Sequence, residues 1–282
     1  MKQNAKYRLY PSILNSYQRL LDSDLDADDF MNIDRESGEQ KQTADEIAAL
    51  RECELLALIN RIEGEPIEAA DKGTAFNEIV DCLIENRPCK REDLEINSVW
   101  VDEKGRVYEQ RVESVGELKK AIRARINGFE FLYDINTCKE AAAYFKGTIP
   151  QQYVRATLQT RYGLVELYGY ADYIGRNSVA DMKTTGMYSF GKYEHGWQKD
   201  LYPYCLIESG EMTEVISFEY TVFVLSKPSG IKPAMTGKMY REEYSYNHEK
   251  ATVRLRQMCE RLIEWLELHR SEITNTKIFG GE

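Results

Sequence analysis

Two β-rich runs, Leu164 to Ile174 and Val179 to Thr184, are separated by a turn built on Gly175-Arg176-Asn177, so the chain must fold back on itself there as an antiparallel hairpin. If the turn takes up Gly175 to Ser178, Ile174 pairs with Val179 and Asp172 falls opposite Asp181. Directly opposed side chains sit about 4.5–5.5 Å apart at Cβ, and like charges so placed repel. A cation between them removes that cost. Strand alternation adds Lys183 to the face of Asp181 and turns Met182 away. The hairpin therefore predicts two oxygen ligands for a hard divalent ion beside one ammonium, a set that suits Mg²⁺ or Mn²⁺ and metal-dependent phosphodiester chemistry.

Around this hairpin the pattern alternates between helix and strand. Tyr10-Pro11-Ser12 through Leu21, Ala44 to Ile62 and Asp71 to Asn86 read as helices, and Ser98 to Val112 as a hairpin turning at Lys104-Gly105. Glu117 to Phe131 and Cys138 to Phe145 read as helices, which makes residues 87–150 a mainly helical insertion. Tyr153 to Thr160 and Val215 to Leu225 read as strands, with a helix from about His195 to Glu208 between them. Residues 151–226 form the sheet and helix that carry the site, and a long helix over 247–270 ends the pattern. The fold class expected is α/β, a central mixed sheet flanked by helices with helical insertions, in one domain over 1–282.

Charge and cysteine usage narrow the function classes. The net charge of −10 is local, because ten acidic residues against two basic ones between Asp22 and Glu46 give −8 and leave −2 elsewhere. A near-neutral body can carry a basic groove. Lys119, Lys120, Arg123 and Arg125 are the cluster in the insertion that faces phosphates if it is not simply solvated. Residues 22–43 read as an acidic loop. Asp22, Asp24, Asp26 and Asp28 approach a calcium-loop pattern, but Ala27 and Ile33 stand where that loop needs glycine and glutamate. A solvated segment, or one that occupies a basic groove and restrains activity, are the two readings of it. The six cysteines contain no Cys-x-x-Cys pair, which argues against a zinc module and a disulfide framework. No apolar run approaches the roughly 20 residues of a membrane span, and no apolar leader opens the chain, so the expectation is cytoplasmic residence without a membrane partner.

On the helix after the hairpin, Gln198 and Tyr202 are four apart and share a face, where an amide and a phenol reach a phosphate or nucleotide. Tyr202 also reads as core filler. Tyr193 and Trp197 are the nearby aromatics for base stacking, indistinguishable at this level from packed ones.

Gly169-Tyr170-Ala171-Asp172, Asp181-Met182-Lys183 and Gln198-Lys199-Asp200-Leu201-Tyr202 together resemble, in order and spacing, the PD-(D/E)xK nuclease superfamily in its RecB-like and CRISPR-adaptation-nuclease branch. Pro11 to Tyr17 is similar to the helix with which such proteins begin, and Gly73-Thr74-Ala75-Phe76-Asn77 to the remaining motif, so the likeness touches residues 10 to about 225. The resemblance implies a restriction-endonuclease-like core. Asp172, Asp181 and Lys183 would be catalytic, the metal held by both aspartates and the Met182 carbonyl, and Gln198 and Tyr202 would bind DNA.

Two departures stand out. Asn77 replaces a metal-binding histidine, leaving a weaker or water-mediated ligand. On a helical wheel it lies at the edge of a stripe of Phe76, Ile79, Val80, Leu83 and Ile84, with Glu78 pointing well away and Asp81 between. The C-terminal half offers only Cys205 and Cys259, so no iron–sulfur cluster is expected. The function expected is a Mg²⁺- or Mn²⁺-dependent DNA exonuclease of recombination, repair or a phage-type context, with an endonuclease as the variant within that class. A catalytically silent nucleic-acid-binding subunit on the same fold is the alternative, and an interaction protein with coincidental motifs a third.

Overall fold

Residues 5–29, 32–34, 39–229 and 232–280 are described by the computed structural model. The chain opens with β1 (Tyr7–Leu9), and Pro11 at the first helical position ends that strand and starts α1 (Pro11–Leu21). Next come α2 (Ser23–Ala27), α3 (Ala44–Asn60) and α4 (Glu68–Glu85). A Thr43/Glu46 capping box fixes the start of α3. Then follow β2 (Leu94–Asp102), β3 (Val107–Tyr108), β4 (Leu118–Ile126), β5 (Phe129–Asp134) and α5 (Ile135–Tyr144). The remainder is β6 (Ile149–Thr160), β7 (Gly163–Ile174), β8 (Ser178–Thr185), α6 (Gln198–Glu208), β9 (Ser217–Leu225), β10 (Gly237–Ser245) and α7 (His248–Leu268).

Six strands form a mixed sheet in the order β1-β7-β8-β9-β10, with β6 on the other edge of β7. β1 runs parallel to β7 and β8 parallel to β9, while the remaining pairs are antiparallel. β9 is buried along nearly its whole length, as a central strand covered on both faces should be. One face packs against α1, α3, α6 and α7 through Leu14, Leu55, Leu201 and Leu262; the other meets α4 and α5 through Phe76, Met182, Phe223 and Cys138. The architecture is thus α/β, a mixed sheet flanked by helices.

The 87–150 insertion corrects the sequence reading. Glu117 to Phe131 is a hairpin, β4 and β5, in a second, antiparallel sheet of order β3-β2-β4-β5, and α5 is its one helix among the described residues. The turn is Asn127-Gly128, both at positive φ (49° and 82°), the two-residue geometry that matches strand twist. Lys, Arg and Ala suggested helix, but Ile122, Ala124 and Ile126 alternate at period two onto the core. The basic cluster changes meaning with it. Arg123 is buried against Glu109, and Arg125 pairs with Glu130 and Glu95, so it offers little free charge to phosphate.

The acidic 22–43 segment is likewise not all loop. Ser23–Ala27 is a helical turn, Asp26 pairs with Arg51 of α3, and Ile33 bridges Gln40; residues 30–31 and 35–38 lie outside the described residues. It sits at the C-terminal end of α1, roughly 16 Å along that helix from Pro11.

Candidate active site

The sheet has a gap. On the edge of β7 away from β6, β1 pairs only with residues 165–167 and β8 only with Tyr173 and Ile174. Between them, residues 168–172 have no ladder partner on that edge among the described residues. β1 stops because Tyr10-Pro11 begins α1, and β8 peels away to follow β9 from Ser178 to Thr185. The expected hairpin register holds, with Ile174 opposite Val179 and Tyr173 opposite Ala180. One step further, the ladder is replaced by a side chain: Asp172 Oδ2 accepts the Met182 N–H at 2.9 Å.

Asp172 and Asp181 therefore meet where the strands splay. Asp181 is 1% exposed, and its Oδ1 accepts a hydrogen bond from Gln198 Nε2. Lys183 Nζ forms a close ion pair with Asp181 Oδ2. Lys183 also donates to Gln198 Oε1 at 2.9 Å. Burial, and then the charge of Asp181, push the Asp172 carboxyl well above the usual range. Burial likewise raises Asp181, against the pull of Lys183. Burial works to lower Lys183, but the two aspartates outweigh it and hold the ammonium above its usual value. Two crowded carboxylates, one of them buried, are by donor chemistry a fit for a hard cation. Among the described residues no group of three or more His, Cys, Asp or Glu side chains converges on one point, so the side-chain ligands come to two, a number Mg²⁺ accepts by keeping waters.

Gln198 is the first residue of α6, and the Trp197 N–H before it is bound by Asn15 Oδ1 of α1 at 2.9 Å. Asn15 is a positioning residue that the motif pattern contains but does not point to. Tyr202, one turn into α6, is 6% exposed, and burial, then Asp181, raise its phenol. Its ring lies across Gly169, where any Cβ would come within 2.8 Å of Tyr202 Cε1 and 3.4 Å of Pro11 Cδ. Tyr202 is thus mostly packing, with an edge on a cavity of about 480 Å³ that opens in the gap and is lined also by Tyr10, Arg61, Tyr168 and Tyr170.

α4 differs from the wheel. Gly73 abuts Thr184 Oγ1, bringing the helix against β8, and Asn77 is half-buried with no hydrogen bond to either aspartate among the described residues. Leu83 is exposed, whereas Glu78 is buried, accepting from Arg87 at 2.7 Å and the Lys90 N–H at 3.0 Å. Asp81 is 1% exposed and accepts from Tyr173 Oη at 2.8 Å; burial first, partly offset by that bond, pushes its carboxyl up to about 6. Its charge also reaches Asp172. Of the two nearby aromatics, Trp197 is buried under Arg254, and the half-buried Tyr193 ring lies 5.7 Å from Tyr220.

No protein-family model and no curated protein matches the sequence. Among solved structures, one described as the crystal structure of SSO0001 is similar at 12% identity over 45% of this chain and 54% of that one, with a TM-score of 0.30. The likeness thus spans about half of that chain, and at that score it carries no argument about fold or function. Among the described residues, no helix is long and apolar enough to cross a membrane.

Proposed function

We propose that this chain is a Mg²⁺- or Mn²⁺-dependent deoxyribonuclease on a restriction-endonuclease-like core, an exonuclease of recombination, repair or a phage-type context acting in the cytoplasm. One observation carries the reading: Asp172 and Asp181 meet at a gap in the sheet with the Lys183 ammonium held beside them by Gln198. Asp172, Asp181 and the Met182 carbonyl would hold the cation, with Asn77 contributing through water. The bound cation supplies a lowered pKa to an attacking water and charge stabilisation to the phosphate. Lys183 donates to Gln198 Oε1 while paired with Asp181, so its role is that of an ammonium that orients the water and neutralises the phosphorane-like transition state. Gln198 fixes both charged partners, and Tyr202 shapes the wall of the cavity.

A second reading, a catalytically silent nucleic-acid-binding subunit, draws on Asn77, which makes no bond to the aspartate pair. End-labelled linear DNA and covalently closed circular DNA, incubated with Mg²⁺, Mn²⁺ or EDTA, separate the two. Metal-dependent loss of the linear form alone, abolished by Lys183→Ala and by Asp181→Asn, is the expected result. Cutting of the circle makes the chain an endonuclease. No cleavage of single- or double-stranded DNA in either metal overturns the nuclease reading in favour of the silent subunit.

A further inference from the structure

The face of the main sheet turned away from α6 carries a row of tyrosines beside the gap. Tyr153 pairs with Tyr170 and Arg155 with Tyr168 across β6 and β7, so all four side chains share one face. Ring centroids lie 5.5 Å apart for Tyr10 and Tyr168, 6.4 Å for Tyr168 and Tyr153, and 5.2 Å for Tyr153 and Tyr170. Tyr153, Tyr168 and Tyr170 belong to none of the buried clusters, and Tyr170 is 59% exposed. Tyr168 and Tyr170 step along β7 toward Asp172, where the alternation breaks: Ala171 packs on the α6 side and Tyr173 on the α4 side, so Asp172 lies at the opening between the two faces, next to the gap. Gln151, on the neighbouring strand, reaches Asp172 Oδ1 at 3.4 Å and closes the row.

The charge on this face runs against that of the chain. Apart from Asp172 at its end, the acid on this row is Glu166, which is bound by Arg8, whose guanidinium carbon also lies 5.1 Å from the Tyr168 ring. Arg155 is exposed and has no ion pair among the described residues, and Arg61 lines the cavity at Tyr10. A net positive surface with one exposed tyrosine ring and three half-buried ones beside it fits phosphates joined to flat rings. Bases inside a duplex keep their faces stacked on each other, so only unpaired ones lie on such a row.

We propose that Tyr10, Tyr168, Tyr153 and Tyr170 form a stacking platform for the unpaired bases of a single-stranded polynucleotide, leading its end to Asp172 and Asp181. The inference rests on the nuclease reading for its direction of travel, but its binding test does not. It is tested with full-length Asp181→Asn protein by fluorescence anisotropy, using labelled oligothymidylate and a blunt hairpin duplex. The single strand binds more tightly than the duplex. Tyr153→Ala with Tyr170→Ala weakens oligothymidylate binding by about tenfold or more, because stacking loss runs roughly 5- to 150-fold per base. The paired Tyr→Phe variants retain binding, and thermal unfolding of all variants stays close to that of the parent. Arg155→Ala reduces the salt dependence by about one phosphate contact.

Unchanged affinity in the alanine pair, or a preference for duplex, overturns the platform. So does a dimer that the alanine pair dissociates while binding is untouched, since the face is then a contact between copies. Native protein that cleaves no DNA while the tyrosines still govern binding sinks the nuclease reading and leaves the platform. Cleavage indifferent to the tyrosines does the reverse.

Discussion

Lys183 Nζ donates to Gln198 Oε1 at 2.9 Å while the same amide donates through Nε2 to Asp181, so one side chain at the start of α6 ties the cationic and anionic halves of the site together. Gln198→Ala removes the acceptor that holds Lys183 in place and leaves the buried Asp181 carboxylate one donor short. Misplacement on this scale costs about a hundredfold in turnover. The expected result in steady-state cleavage is a kcat lowered roughly 10- to 100-fold with KM little changed. Turnover at the native rate removes Gln198 from the machinery.

A cation held between Asp172 and Asp181, as proposed, would bind the folded chain and not the unfolded one, and would stabilise it by mass action. At a concentration a hundred times its Kd the gain is about 2.7 kcal/mol. Thermal unfolding in Mg²⁺ against EDTA should rise by several degrees for the native chain, and by much less for Asp172→Asn or Asp181→Asn. An equal rise in the variants means that the metal binds elsewhere.

Asp81 predicts a pH dependence of stability. Its carboxyl, raised by burial to about 6 from 3.8, faces Tyr173 and stands near Glu78, Glu85 and Arg87. A raised carboxyl holds its proton longer in the folded state, so its contribution is full below about pH 4, is lost as pH rises through 6, and stays lost above. The window is worth on the order of 2–3 kcal/mol. Urea unfolding of native protein and Asp81→Asn should therefore give a stability difference that shifts in favour of the variant by that amount between about pH 4 and about pH 7.5. A difference independent of pH would show that Asp81 is not held in its acid form.

The hairpin that carries the candidate residues was more legible in the sequence than the scaffold around it. Asp172, Asp181 and Lys183 follow from a short turn and strand alternation, both local rules, and the register of Ile174 on Val179 came out as alternation requires. Local rules also place Gln198 and Tyr202 on one helix face. They do not say which of the two is buried: Tyr202 is, because Gly169 leaves a slot for its ring. β4 was missed because Lys, Arg and Ala favour helix, although Asn127-Gly128 carried the hairpin signal. β1 and β10 were missed for another reason: the first is three residues long, and the second is an edge strand with a charged run, Arg241-Glu242-Glu243, between Tyr240 and Tyr244. The gap that exposes the site depends on where β1 ends relative to β8, a long-range fact that no window of sequence contains.

Gly169 ties that gap to the helix that covers it. A Cβ there meets Tyr202 Cε1 at 2.8 Å and Pro11 Cδ at 3.4 Å, and neither ring can move far, since both residues are buried. Gly169→Ala should destabilise the fold by about 1–3 kcal/mol, the usual range for overpacking, and should lower activity by displacing α6 and with it Gln198. Tyr202→Phe keeps the clashing carbon and gives no relief, whereas Tyr202→Leu shortens the side chain. In a urea-unfolding cycle, Gly169→Ala and Tyr202→Leu should then be less than additive by roughly 1 kcal/mol, as coupled neighbours are. Strict additivity would separate the glycine from the tyrosine and assign the conservation of space at 169 to Pro11 alone.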